Sequence, residues 1–451
     1  MRGREQKEAF LNDVCAQVRW KQAHAVIRRD LSAHMEDQLG AFLNAGISEE
    51  EAEVKAVAEM GDPVEVGARL DDSYRPKSTA ALLIPLGILL LLGVLCRVFF
   101  YNRSPADWMN FILALAIGGG GFALLYNARL HGVAAVSAYG CVACVALSAL
   151  ALCFLLLANQ LWYRNWLVNL TLFNYIVCVF PMLLSGLAYA LRGKGMPGLL
   201  LCGGAVAVPV ALLVLLPSAA NALELVLSCL MALTVAIVSG VFRKGKLLPL
   251  AVTYLGTAAA GFAFVLLEPY RLYRLGRAFR GEGFYADAIR EVFAGARTIG
   301  PGTETTMTAM AGFFTEGQGR FNAMNDFLLV AVAQRWGWLP AALLVAALMA
   351  FLAVGFYRAF RLKSLLGCML GCGVMAAFAV QTLLYVLTNL GVFVGGPLPL
   401  PFLSYGNTAL AVNLAMAGLL AGLFRTDGLN ADSEPNKRPL PRLRVRLEWE
   451  N

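Results

Sequence analysis

Three groups of side chains in this sequence have types and spacings that suit chemistry. The first centres on Asp326, in Asn325-Asp-Phe-Leu-Leu-Val-Ala-Val-Ala-Gln-Arg-Trp-Gly337, where a carboxylate stands at the mouth of an apolar run. Ionisable groups at the edge of a membrane bundle are candidates for a general base or an ion ligand. The competing reading is a helix cap that complements the dipole of the helix it opens. The second group is Arg271, Arg274, Arg277 and Arg280, spaced by three. On a helix continuing the apolar run before them they form one broad cationic face, suited either to snorkelling toward lipid phosphates or to holding a lipid-linked pyrophosphate. The third is Thr388-Asn-Leu-Gly-Val-Phe-Val-Gly-Gly-Pro-Leu-Pro-Leu-Pro-Phe-Leu-Ser-Tyr-Gly406. Alternating prolines exclude helix and predict rigid extended backbone, which is tolerated at membrane depth only inside protein or along a wet cavity. Ser404, Tyr405 and Asn407 offer hydrogen bonds there, and Gly395, Gly396 and Gly406 allow close approach; a tight helix–helix connector is the plainer alternative.

The elements that must position these groups are membrane helices. Of 451 residues, 59% are hydrophobic and 15% charged, against about 45–50% and about 25% in an average soluble domain. From Thr79 onward the chain falls into apolar blocks near 79–100, 108–127, 132–158, 166–191, 197–217, 219–241, 248–267, 327–356, 366–390 and 406–424. Each is close to the roughly 20 residues that cross a bilayer. The predicted fold is an all-α polytopic membrane protein with about ten transmembrane helices. An even count puts both termini on one side. An N-terminus in the cytoplasm places Arg129, Arg192, Lys194, Arg243, Lys244, Lys246, Arg358, Arg361 and Lys363 in inside loops, against Arg103 and Arg164 outside. The connector between the seventh and eighth spans, residues 268–325, is then a large extracellular loop with seven arginines and six acids. Loops this long are usually functional or disordered, and Phe284-Tyr-Ala-Asp-Ala-Ile-Arg-Glu-Val-Phe293 within it reads as a surface-lying amphipathic helix.

Residues 1–78 are different in kind: 11 basic and 15 acidic side chains, with helical periodicity and no signal peptide. One helix is expected from about Gln6 to Asn44, broken near His24, its apolar positions including Ile27, Leu31, Met35, Leu39, Phe42 and Leu43; Gly46 ends it. A second starts at a Ser48–Glu51 capping box and stops at Met60-Gly-Asp-Pro63. The net charge of +8 therefore belongs to the membrane part and to the basic tail, 426–451, so no nucleic-acid partner is implied. Nine of the ten cysteines lie in apolar blocks and read as small hydrophobes, including the Cys141-x-x-Cys144 pair, so no protein metal site is expected from them. The domains expected are 1–78, cytoplasmic and helical; 79–425, the membrane domain; and the tail.

The motifs carry a resemblance. Asn325–Gly337 is similar to Thr-Asp-Phe-Ile-Phe-Ala-x-x-x-Glu-Glu-x-Gly of the FtsW, RodA and SpoVE family of shape, elongation, division and sporulation proteins. Asn389-Leu-Gly391 followed by Pro399-Leu-Pro-Phe-Leu-Ser-Tyr-Gly-Asn407 resembles that family's Asn-Ile-Gly…Pro-Leu-Pro-Phe-Ile-Ser-Tyr-Gly-Gly. The likeness covers about residues 248–425, and Arg29-Asp-Leu-Ser-Ala-His-Met-Glu-Asp37 resembles the helical domain that precedes bacterial permeases and regulators. The resemblance implies a peptidoglycan glycosyltransferase that polymerises lipid II and works with a class B penicillin-binding protein. It puts the essential aspartate at Asp326, as general base or ligand of a divalent cation such as Mg or Mn. It implies substrate contacts at Arg271, Arg274, Arg277, Arg280, Asn389, Pro399, Pro401, Ser404, Tyr405 and Gly406, and leaves residues 1–78 as a docking module for other cell-wall or division machinery. The family's Glu-Glu is Gln334-Arg335 here, its Gly-Ser-Gly-Gly reads Ala294-Gly-Ala-Arg297, its Gln-Pro-Ser-Glu has no counterpart, and the stretch between Asn389 and Pro399 is about four residues shorter. A weakened relative acting as a scaffold, or a flippase of a lipid-linked precursor in which Glu224 takes part, are the other functions compatible with these residues.

Overall fold

The computed structural model describes residues 2–100, 105–158, 172–216, 218–242, 245–266, 269–280, 284–303, 327–392, 398–404 and 406–427. All regular structure among them is helical, and the chain divides into two compact units, one ending at Ser78 and the other starting at Thr79.

The first unit is built from α1 (Arg2–Gln17), a short 3₁₀ turn (Lys21–Ala23), α2 (His24–Asn44), α3 (Glu49–Ala58) and α4 (Pro63–Ser73). The break expected near His24 is present: α1 ends at Gln17, α2 starts at His24, and the His24 ring bonds the Val18 carbonyl at 2.8 Å across it. This bend lets α1 fold back so that Phe10, Leu11, Val14 and Val18 bury against Ala23, Ile27 and Met35. Gly46, at φ +83°, terminates α2 as its sequence suggests. Ser48 does stand at the N-cap of α3, but its hydroxyl makes no capping bond, so the expected capping box is not formed. Pro63 ends nothing further along; it opens a fourth helix that the sequence reading did not foresee. Asp62 caps that helix, accepting from the Val64 and Glu65 amides at 3.4 and 3.3 Å, and proline suits the first helical position because its missing N–H would have no partner there. The unit also includes Arg425–Asp427. Lys77 Nζ lies 2.5 Å from Asp427 Oδ2, the Lys77 amide donates to the Arg425 carbonyl at 3.3 Å, and the Asp427 side chain is only 3% exposed.

The second unit contains ten apolar helices: α5 (Ala80–Phe100), α6 (Pro105–Tyr126), α7 (Leu130–Ala158), α8 (Leu172–Ala190), α9 (Met196–Leu215), α10 (Ala219–Val238), α11 (Leu247–Leu266), α15 (Trp338–Phe360), α16 (Leu365–Asn389) and α17 (Asn407–Arg425). All but α8 are, among the described residues, long and apolar enough to cross a membrane. Among the described residues, three further helices lie between α11 and α15: α12 (Pro269–Phe279), α13 (Phe284–Gly295) and α14 (Leu328–Trp336). This is a multi-pass membrane protein, and α16 is its axis, buried almost throughout and packed on α8, α10 and α15. Membrane helices gain no hydrophobic drive from meeting one another, so they associate where small residues let backbones touch. Gly418 and Gly422 do this for α17, lying directly against the Phe122 and Leu125–Tyr126 backbone of α6.

One expected span is redrawn. The eighth apolar block does not run as a single helix from Phe327. It breaks at Gly337, whose φ of +100° suits only glycine, and the crossing helix is α15, starting at Trp338. The preceding piece, α14, is a separate short helix whose Leu328–Ala333 are all buried.

Candidate functional site

The end of α16 brings together the Asn389–Gly391 motif, α13 and α14, the helix that follows Asp326. Tyr385, 1% exposed in the last turns of α16, accepts a hydrogen bond from the Leu328 backbone N–H at 2.8 Å through its hydroxyl. A buried amide in the first turn of a helix has no partner of its own, so this hydroxyl sets where α14 starts. Asp326 itself lies outside the described residues, but Phe327 after it is buried and packs with Val330 against Ile289 and Val292 of α13. Asn389 is fully buried and donates to the Tyr385 carbonyl at 3.0 Å. Two residues on, Gly391 at φ +71° lies against Ala286 of α13, where a Cβ would come within 3.3 Å of the Ala286 Cα. The Asn389-Leu-Gly391 motif thus seats α13, the amphipathic stretch of the connector, on the end of α16. That helix is not simply lying on a surface: Ala286, Ile289 and Val292 are buried, while Asp287 and Arg290 on its other side are exposed.

The proline segment forms the second wall. Leu398–Leu400 have no regular structure, and from Pro401 the chain turns tightly, correcting the expectation of continuous extended backbone. The Leu403 amide donates to Pro401 O at 2.8 Å and the Ser404 amide to Leu400 O at 3.2 Å. Phe402, at φ +63°, is the one non-glycine with positive φ among the described residues. Its ring is clamped edge-on by Phe351 (5.4 Å) and tilted against Phe378 (5.3 Å), and a Cβ on Gly93 of α5 would lie 2.6 Å from its carbonyl oxygen. Strained backbone persists only where its surroundings over-determine it, and here a ring clamp and a close backbone approach do so. Pro401 and Ser404 are buried, Pro399 is half-buried, and Gly406 gives its carbonyl to the Leu410 amide at 2.9 Å to start α17; Tyr405 lies outside the described residues.

Of the arginine row, Arg271 is tied to the preceding helix. Arg271 turns back on α11, its Nη1 donating to the Phe264 carbonyl at 2.9 Å with the guanidinium 4.0 Å above that ring, so it closes the end of the preceding helix. Arg277 sits 5.9 Å from the Tyr273 ring and Arg280 is exposed; the Arg274 side chain lies outside the described set.

The family model described as cell cycle protein, of FtsW, RodA and SpoVE, matches residues 78–427. This chain belongs to that family. Among curated relatives, a probable peptidoglycan glycosyltransferase FtsW from Thioalkalivibrio sp. (strain K90mix) is 34% identical over 125 residues, 26% of this chain and 30% of the relative. One of the same name from Acinetobacter baylyi is 26% identical over 193 residues, 40% of this chain and 46% of the relative. The chain therefore matches less than half the length of these relatives. Among solved structures, a chain of a peptidoglycan synthase complex aligns at TM-score 0.57 with 18% identity, covering 78% of this chain and 98% of its own. Thermus thermophilus RodA aligns at TM-score 0.50 with 19% identity, covering 77% and 96%. At such identities the likeness is one of fold.

Two departures from the FtsW, RodA and SpoVE motifs fall at one corner. The Gly302 amide donates to Gln334 O and Gly300 to Trp336 O, both at 2.8 Å; Thr303 donates to Gly295 O at 2.9 Å, and Trp338 to Arg297 O at 3.0 Å. Gln334-Arg335 and Ala294–Arg297, where the family has Glu-Glu and Gly-Ser-Gly-Gly, thus lie beside each other in a strap held by main-chain bonds. Gly337 is required there, because a Cβ would meet the Thr298 and Arg297 carbonyl oxygens at 2.6 and 2.7 Å. These bonds hold the corner through the main chain and not through the side chains of Gln334, Arg335 and Ala294–Arg297.

One residue escaped the sequence reading. Arg97, inside the first apolar block, is 8% exposed; its guanidinium lies 4.1 Å above the Phe111 ring and lines a narrow cavity with Gly93, Phe402, Ser404 and Leu410. A lone arginine in a run of some 20 apolar residues was the available signal, since intramembrane charge is costly and marks function.

Proposed function

We propose that this member of the family is a peptidoglycan glycosyltransferase that polymerises lipid II at the outer face of the bacterial plasma membrane. The observation that carries the reading is the buried tie from Tyr385 to the Leu328 amide, which holds the helix immediately after Asp326, the position of the family's essential aspartate, on the end of α16 that carries the Asn389–Gly391 motif. In the transfer, the 4-hydroxyl of the acceptor sugar attacks the anomeric carbon of the donor. The new glycosidic bond forms as the bond from that carbon to the pyrophosphate oxygen breaks, with inversion. Asp326 takes the hydroxyl proton as general base, and undecaprenyl pyrophosphate leaves with the bonding pair. Arginines of the row Arg271, Arg274, Arg277 and Arg280 are proposed to meet that charge.

Both termini are taken to be cytoplasmic, which puts Arg129, Arg192, Lys194, Lys246, Arg358, Arg361 and Lys363 inside and the long connector outside. A class B penicillin-binding protein is the proposed partner, in keeping with the fold match to a chain of a peptidoglycan synthase complex; residues 1–78 are proposed to dock further cell-wall or division machinery. Among the described residues no three His, Cys, Asp or Glu side chains gather, so a divalent cation would rest on Asp326 and substrate oxygens, where it would supply charge neutralisation of the leaving group. The direct test is polymerisation of labelled lipid II by the purified protein, alone and with class B partners, comparing wild type with Asp326→Asn. Product lost in the variant is the expected result. No product from a folded wild type that binds lipid II, with any partner, refutes the enzyme and leaves the scaffold reading, which the altered Gln334-Arg335 and Ala294–Arg297 corner favours.

A further inference from the structure

We infer that Arg97 is a positioning residue for the proposed glycosyl transfer, holding the Pro401–Ser404 turn in its strained form from inside the first membrane helix. The inference rests on the reading above for its activity test, and on geometry for the rest. Gly93 and Arg97 are one helical turn apart, so they share a face of α5. Gly93 receives the Phe402 carbonyl so closely that a Cβ would sit 2.6 Å from its oxygen. Arg97 is therefore one turn above that carbonyl on the same face, and it lines a single cavity with Phe402 and the buried Ser404. The other walls, Leu90, Val94, Phe111, Leu115 and Leu410, are apolar.

The size of the cavity decides between two roles. A guanidinium in such a place could bind a phosphate of the substrate directly or brace the protein. The space is about 20 Å³, enough for roughly one water and too small for a phosphate group. A planar fork of donors in a water-sized cavity, beside a carbonyl and a hydroxyl of one turn, is suited to bracing that turn, directly or through one bridging water. Phe111 below the guanidinium keeps it in place by a cation–π contact. The turn needs such a brace because Phe402 is at φ +63°: a non-glycine there relaxes unless its surroundings prevent it. Relaxation would move Ser404 and the start of α17, and misplacement of about 1 Å at a reaction centre costs about a hundredfold in rate.

The experiment compares wild type, Arg97→Lys and Arg97→Met in the full-length protein, by lipid II polymerisation with the partner that supports wild-type activity, by amide hydrogen exchange and by thermal unfolding. The expected result for Arg97→Met is a kcat lower by about tenfold or more, with KM within about twofold of wild type. Exchange should be faster at the Leu403 and Ser404 amides, and elsewhere like wild type. Arg97→Lys, which keeps the charge but loses the fork, should fall between the two. A rise in KM with kcat unchanged would make Arg97 a substrate ligand and overturn the inference. So would unchanged exchange at Leu403 and Ser404, or faster exchange throughout the chain with a lowered melting temperature. If Arg97→Met does not fold, Arg97→Lys decides by the same measures. If wild type polymerises nothing, the proposed function fails on its own account, and the local exchange difference alone decides whether Arg97 braces the turn.

Discussion

Replacing Tyr385 by Phe should weaken the protein's activity far more than its stability. The ring of Tyr385 is packed in the main core among residues of α15, α16 and α17, and Phe keeps that packing. What is lost is the hydroxyl that accepts the Leu328 N–H at 2.8 Å. An amide left unsatisfied in a buried site costs about 1–3 kcal/mol. Leu328 can avoid that cost only by letting the first turn of α14 shift or fray, because no intrahelical acceptor exists for an amide at that position. The penalty therefore appears as misplacement of the residue pair Asp326–Phe327, and at about 1.4 kcal/mol per decade it corresponds to a roughly tenfold to hundredfold loss of kcat. Steady-state polymerisation of lipid II measures the rate, and hydrogen exchange at the Leu328 amide reports the bond itself. A Tyr385→Phe protein with wild-type kcat and unchanged exchange at Leu328 would refute the claim that α16 positions the aspartate.

Two further outcomes follow from close contacts. Gly93→Ala should destabilise the membrane unit by about 1–3 kcal/mol, because the added methyl must displace the Phe402 carbonyl backbone now 2.6 Å from its position; thermal unfolding in detergent, with Gly87→Ala as the control that meets nothing within 4 Å, checks it. Lys77→Met leaves the nearly buried Asp427 carboxylate without its lysine and should cost about 1–3 kcal/mol, the loss being screened on the half-exposed lysine side; limited proteolysis should cut near residues 74–79 several times faster than in wild type.

What was legible in the sequence follows from which forces act locally. The membrane helices could be placed because each needs an unbroken apolar run, and Gly391 of the Asn389–Gly391 motif meets Ala286 of the connector. Gly337 falls inside the block expected to run as one span from residue 327, because nothing local distinguishes a glycine that eases helix packing from one at φ +100°; the carbonyls of Arg297 and Thr298 that demand it come from elsewhere in the chain. Arg271 was grouped with its neighbours by spacing, yet its position at the start of α12 gives it the Phe264 carbonyl as a partner. Spacing describes a face; it does not describe what the preceding helix end leaves unsatisfied. The turn at Phe402 was hidden for the same reason, since prolines exclude helix without saying that the next residue will be forced to positive φ by rings from α15 and α16.

The Lys77–Asp427 pair joins residues 350 positions apart, and this sets an order on biogenesis. Ala80 begins the first membrane helix and Arg425 ends the last, so during synthesis the N-terminal helices emerge first and wait until the whole membrane unit has been made before Arg425–Asp427 reach them. The amide of Lys77 and its ammonium have their partners only in a chain whose final helix is already in place. A polypeptide stalled or truncated at any earlier helix presents an incomplete N-terminal unit, with its C-terminal complement missing, to proteases and chaperones on that side of the membrane. An N-terminal unit that holds its Lys77–Asp427 contact therefore belongs to a chain synthesised through its last membrane helix.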